Sequence, residues 1–438
     1  MKMIKENSIL KRFFVLTVVV ICLLFNFADC LASDSNVEIT MWTFLNPNGT
    51  SGREIGLKKM IDSFEEKTGI KVIVETQKWD TLTAKFIAAH MTGNAPDISW
   101  LFLEEFGPVV EMGALVPFED LFLDSWSNED IEDIAGTLWD YGVVDGKHYQ
   151  FSLSRNCFGF IYRDDLLKEK GITLPIKTWD EFIEVAQKLT EEDSESGIYR
   201  WGLGMGFSLD NANPMIATTS LLDLQGDLFT KDGKANWAND NGIKSVQLEV
   251  DMVRKYKVTP EDCILYTADD LYKDFAAGKY AMFIGSMVRT SKIKEEVSFN
   301  PDFVKLMPFP SWDGKASSPA LANGWAVSVW SGSKHKKEAG QFVEYLVSKE
   351  SDELWLIDGG QVPVRKSTLV KNIDFIEKPE NSFLNTMAEI ISTGYLPLPD
   401  ISVAGWRMDL HQITIDVLSK GMSIEDALKN AENAFNKR

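Results

Sequence analysis

The chain has 438 residues and a formal charge of −20, with 65 acidic against 45 basic residues. That balance argues against a nucleic-acid partner, whose phosphates need lysine and arginine, and weakly against an anionic ligand. The length suggests two or three domains.

The chain opens on a targeting segment. Lys2, Lys5, Lys11 and Arg12 form a basic region, and residues 13–25 are apolar but too short to span a bilayer comfortably. Cys30-Leu31-Ala32 sets small residues at the positions needed for cleavage after Ala32. Residues 1–32 are therefore expected to be a signal peptide, and the mature chain to reach the periplasm or the outer face of the cell envelope. A lipid anchor on Cys30 is the lesser reading, because Asp29 precedes that cysteine where a small uncharged residue is normal. Cleavage removes a net charge of +2 and leaves −22, with Cys157 and Cys263 as the remaining cysteines. They are expected either to pair or to be two buried thiols.

Residues 37–42 (VEITMW) alternate as a strand. Leu57, Met60, Ile61 and Phe64 follow at helical spacing, and Gly69 ends that helix. Ile70, Val72 and Val74 alternate again, Asp80 can cap a helix reaching Thr92, and residues 97–102 form a third strand. Strand–helix–strand–helix–strand predicts a parallel sheet. Ligands of such sheets sit beyond the carboxyl ends of the strands, which draws attention to Trp42 and the turn at residues 100–105. Residues 145–170 (DGKHYQFSLSRNCFGFIYRDDLLKEK) read as a strand interrupted by Arg155 and Asn156 and then resumed. That pattern suits a chain leaving one lobe for another, with polar groups facing the cleft. The competing reading is one bulged strand with a solvated kink.

Farther on, Thr178-Trp179-Asp180-Glu181 is a capping box ahead of a helix. Residues 199–207 form a Gly-rich strand, and helices are expected near 214–224 and 243–256. Thr267 can cap a short helix, residues 280–284 form a strand, and residues 321–330 form another that starts at Asn323-Gly324. A helix over 336–347 and a helical tail from 381 complete the chain. There is no HExxH or CxxC pattern, GxSxG elbow or Walker A loop, so neither a metal, a cofactor nor a catalytic centre is expected.

In order along the chain stand TMWTF, FEEKTGIKVIVE, MTGNAPDI, the 145–170 stretch, TWDEFIEVAQKLT, FAAGKYAMFIGS, NGWAVSVWSGSKHKKEAGQFVEYLVSKE, GQVPVRKS and SIEDALKNA. This series resembles the extracellular solute-binding proteins of ABC sugar importers, the maltose-binding-protein-like family. The resemblance implies an α/β, two-lobed fold, each lobe a mainly parallel sheet flanked by helices, with several crossing segments as hinge. It implies lobes at 36–151 plus 326–366 and at 155–320 plus 370–438, with crossings near 152–156, 320–325 and 365–369. It implies a sugar, expected to be a neutral mono- or oligosaccharide, held in the cleft and passed to a membrane permease. A monomeric protein without enzymatic activity is expected.

Matched by position, Trp42 and Glu104 fall where the family places an aromatic and a carboxylate, and Asn156 falls at a polar hinge position. Met287 stands where the family commonly has a tryptophan, and Trp406 lies near another stacking aromatic. Glu105, Arg155, Asp210, Asn211, Asn323, Trp325 and Arg407 complete the candidate contacts. Sugars present hydroxyls, which amides and carboxylates bond, and an apolar C–H face, which tryptophan covers. Arg155, Arg365 and Arg407 are the residues that would serve an acidic or phosphorylated ligand. The rival class is a carbohydrate-active enzyme with a carboxylate pair; a polyol-binding protein and a receptor-coupled sensor would share the fold.

Overall fold

A computed structural model describes residues 37–134, 136–192, 199–208, 216–392, 394–395 and 405–438. The expected signal peptide, Asp210 and Asn211 lie outside the described residues.

The N-terminal part alternates as its sequence does. Strand Glu38–Thr43 pairs in parallel with both Lys71–Thr76 and Ile98–Phe102. Helix Gly52–Thr68 buries Leu57, Met60, Ile61 and Phe64 on one stripe. It ends at Gly69, whose φ of 72° is a conformation that costs glycine little. At its start the Glu54 carboxylate accepts the N–H and the hydroxyl of Ser51. The next helix, Leu82–Thr92, departs from expectation at its start: a 3₁₀ turn over Trp79–Thr81 precedes it and Thr81, not Asp80, is the N-cap.

The 145–170 stretch contains one unbroken strand, Phe151–Arg163, in which every residue but Arg163 is buried. Arg155 and Asn156 do not interrupt it, because Gly324 and Asn323 pair with them on the neighbouring strand. That neighbour, Ala322–Val329, runs antiparallel to Phe151–Arg163 on one side and to Ile98–Phe102 on the other. The register slips between Trp325 and Ala326, leaving Leu153 as the extra residue of a bulge. At Gly324 a Cβ would lie 2.0 Å from the Ser154 carbonyl, so the two strands cross at a distance only glycine permits.

One sheet thus runs through the described residues in the order Lys71–Thr76, Glu38–Thr43, Ile98–Phe102, Ala322–Val329, Phe151–Arg163, Tyr280–Ser286, Tyr199–Gly204, Glu191–Glu192. Two large cores lie along it. One gathers Ile39, Leu57, Phe64, Trp100, Val327, Phe342 and Trp355. The other gathers Phe160, Trp179, Trp237, Tyr280, Ile284 and Trp406. The long strand gives Phe151 and Leu153 to the first and Cys157, Phe158 and Phe160 to the second. The passage between cores therefore falls on Ser154, Arg155 and Asn156. Cys157 and Cys263 are free and buried, and burial pushes the Cys263 thiol up to about 12. No helix among the described residues is long and apolar enough to cross a membrane.

Candidate functional site

A cleft of about 300 Å³ lies between the two cores where the chain passes from one to the other. Its floor is made by Ser154, Asn156, Asn323 and Gly324 of the crossing strands. Asn156 Nδ2 donates to Asn323 Oδ1 at 2.8 Å, and Asn156 Oδ1 accepts from Ser286 Oγ at 2.9 Å. This amide pair ties the two crossing strands to the end of Tyr280–Ser286. Both amides are almost fully buried, so leaving either unpaired would carry the full desolvation cost.

The wall on the first core is aromatic. Phe44, just past Glu38–Thr43, and Phe102, the last residue of Ile98–Phe102, stand at the carboxyl ends of parallel strands. Their ring centroids lie 4.9 Å and 5.2 Å from that of Trp325. Trp79 adds a ring that is 42 % exposed. Arg53, in the first turn of helix Gly52–Thr68, brings a half-buried guanidinium 5.7 Å from the Phe44 ring. It makes no hydrogen bond or ion pair among the described residues. Burial, and then the charge of Arg289, hold it down to about 10, so it stays protonated at neutral pH.

The opposite wall is built on the second core by Phe158, Tyr272, Ser286, Val288, Arg289 and Lys292. The Tyr272 hydroxyl accepts the Ser286 N–H at 2.6 Å. Arg289 lies over the Tyr272 ring at 3.9 Å, and its Nη1 donates to Asp269 at 2.6 Å.

Of the expected contacts, the structure brings Asn156, Asn323 and Trp325 to this cleft and places Trp42, Glu105, Arg155, Met287, Trp406 and Arg407 elsewhere. Trp42 donates its indole N–H to Glu75 at 2.8 Å and does not line the cleft. Arg155 is buried and donates to the Pro363 carbonyl at 2.7 Å. Arg365 donates to the Val347 carbonyl at 2.7 Å and to Asp133 at 3.2 Å, which holds the chain near the third expected crossing. Met287 is fully buried with its sulfur 3.6 Å from the Cys157 thiol, behind a wall formed by its neighbours. Glu105 is held near Thr83, and burial raises its carboxyl. The backbone of Glu104 lies in the short Leu103–Glu105 turn. Trp406 is 3 % exposed in the second core, edge-on to Phe229 at 5.9 Å, and is a packing anchor rather than a cleft aromatic. Arg407 stands behind the cleft, its guanidinium 5.6 Å from the Phe158 ring and 5.9 Å from that of Phe102, and burial holds it down to about 9.

Phe44, Arg53, Trp79, Phe102, Tyr272 and Arg289 were not among the sequence candidates. The strand-end rule did mark two of the right places. It pointed to Trp42, two residues short of Phe44, and to a turn that contains Phe102. Arg289 follows the FAAGKYAMFIGS motif by three residues.

Residues 59–381 match the family model described as bacterial extracellular solute-binding protein. The chain is 24 % identical to an arabinooligosaccharide-binding protein of Bacillus subtilis, over 76 % of each chain. It is also 24 % identical to an sn-glycerol-3-phosphate-binding periplasmic protein of Pectobacterium atrosepticum, over 78 % of this chain and 77 % of that one. Among solved structures, an ABC-transporter solute-binding protein of Thermotoga lettingae bound to α-D-tagatose superposes with a TM-score of 0.77 and 25 % identity. That match covers 92 % of this chain and 99 % of the other. With the family model matched over most of its length and this two-core α/β architecture, the chain belongs to the bacterial extracellular solute-binding proteins.

Proposed function

We propose that the cleft binds a carbohydrate and that the protein delivers it to the membrane permease of an ABC importer. The observation that carries this reading is the lining. Aromatic faces at Trp325, Phe44 and Trp79 converge with amide and hydroxyl groups at Asn323, Ser154 and Ser286 on one cavity between two cores. That pairing matches a sugar's apolar C–H face and its ring of hydroxyls. Relatives named for arabinooligosaccharide binding and for a bound tagatose support the same class.

The volume, at the lower end of the range for small-molecule sites, favours one or two sugar units in this state of the cleft. The lobes are residues 36–151 plus 326–366 and 155–320 plus 370–438, and ligand draws them together about the crossing strands. The mature chain begins after Ala32, works as a monomer outside the cytoplasmic membrane, and releases its ligand unchanged.

A thermal-shift screen over sugars, polyols and sugar acids tests the reading, because a ligand of the folded state raises the melting temperature. At least one carbohydrate is expected to raise it and to be recovered intact after incubation. No shift with any carbohydrate would contradict the reading, and turnover would favour the enzyme class.

A further inference from the structure

The cleft runs against the charge of the chain. The whole chain carries −20, yet among the described residues the charged side chains lining the cleft are Arg53, Arg289 and Lys292 against Asp269. Arg289 is paired with Asp269 at 2.6 Å, on a carboxylate that is itself 56 % exposed. Lys292 is 3.6 Å from Glu296, an exposed pair of little strength. Arg53 has no carboxylate within ion-pair distance among the described residues; it feels the charge of its neighbour Glu54, but that carboxylate is engaged by the Ser51 N–H and hydroxyl at the helix start.

Arg53 and Arg289 stand on walls that belong to different cores. Two like charges approaching across a partly dehydrated cleft repel, and the repulsion grows as the cleft narrows. A neutral ligand would leave it in place. An anion between the two guanidiniums would remove it, and would receive planar, charge-assisted hydrogen bonds from both sides. The remote acidic surface does not decide the matter. At physiological ionic strength charges more than about 8 Å away are largely screened, whereas the two arginines touch whatever fills the cleft.

We propose that the carbohydrate taken by this cleft carries an acid group, a carboxylate or a phosphate, and that Arg53 and Arg289 hold that group from the two walls while Trp325 and Phe44 cover the sugar. The proposal rests on the carbohydrate-binding reading and narrows its substrate class from neutral to acidic. The acid group then acts as the link between the walls, so that closure is favourable with an acidic sugar and opposed without one.

Calorimetric titration of the mature protein tests this with three sets of probes: D-galacturonate and trigalacturonate; glucose 1-phosphate and sn-glycerol 3-phosphate; and galactose, glucose and maltotriose. Binding of one acidic set at least tenfold tighter than its neutral counterparts is expected, and which set binds identifies the acid. Added NaCl should weaken that binding. Arg53→Gln should lose at least tenfold for the acidic ligand with little change in melting temperature, since this side chain makes no hydrogen bond or ion pair among the described residues and only a distant contact with the Phe44 ring. Arg289→Gln should lose a similar factor. Neutral sugars binding as tightly as acidic ones, or Arg53→Gln weakening neutral and acidic ligands alike, would overturn the acid-group assignment and leave carbohydrate binding standing. Failure of every probe to bind would overturn both.

Discussion

Trp325 and Trp406 show how differently one residue type is used in this chain. Trp325 faces the cleft from a crossing strand, beside Phe44 and Phe102. Trp406 begins helix Trp406–Lys420 and is packed in the second core. Trp325→Ala should therefore cost about 2 kcal/mol or more of binding, as loss of an aromatic anchor does, with a modest effect on melting. Trp406→Ala should cost about 3–5 kcal/mol of stability through the cavity it leaves, with affinity unchanged in the protein that remains folded. Calorimetric titration and melts of the two variants check this; the reverse pattern would mean that the roles are exchanged. Sequence could not separate the two tryptophans, because each stands where an element enters polar surroundings. The polar pair Arg155-Asn156 misled for a related reason. Inside an apolar run it reads as a break, yet its partners Asn323 and Pro363 lie far along the chain, where only the fold brings them close.

At the scale of elements, periodicity carried most of the reading. The Leu57–Phe64 stripe, the Thr178–Glu181 capping box and the Thr267 cap all stand as expected, since each is a local interaction written in adjacent residues. What was not legible is how helices are joined by buried polar groups. Glu249, 1 % exposed on helix Asp240–Arg254, accepts from the Thr414 hydroxyl at 2.6 Å and from the Ala217 N–H at 2.9 Å. It thereby links three helices. Burial pushes its carboxyl up to about 7, above the usual value of about 4.3 for an unfolded chain. A raised folded pKa means that this contribution to stability is complete below the unfolded value and is lost as pH rises through about 7. The loss is on the order of 3–4 kcal/mol. Melting temperatures measured from pH 5 to pH 8 should fall more steeply for the wild type than for Glu249→Gln, whose amide oxygen can accept the Ala217 N–H and whose amide N–H can donate to the Thr414 hydroxyl oxygen without ionising. Parallel profiles would show that Glu249 does not set this part of the pH dependence.

For the molecule as a whole, the two-lobed α/β class was legible, chiefly through the ordered motifs and the strand–helix alternation at the N-terminus. A net charge says how a protein behaves at a distance, and it weighed against an anionic ligand, whereas the cleft gathers Arg53, Arg289 and Lys292 from segments scattered over more than two hundred residues. The central claim is that one small ligand touches both cores at once, between the crossing strands. Hydrogen exchange measured with and without a carbohydrate found in the thermal-shift screen tests it most directly. Exchange should slow together in residues 44–54 on the first core and 286–292 on the second, with the crossing residues 154–156 and 323–325 included. Protection confined to one core, or lying away from the cleft, would contradict the account.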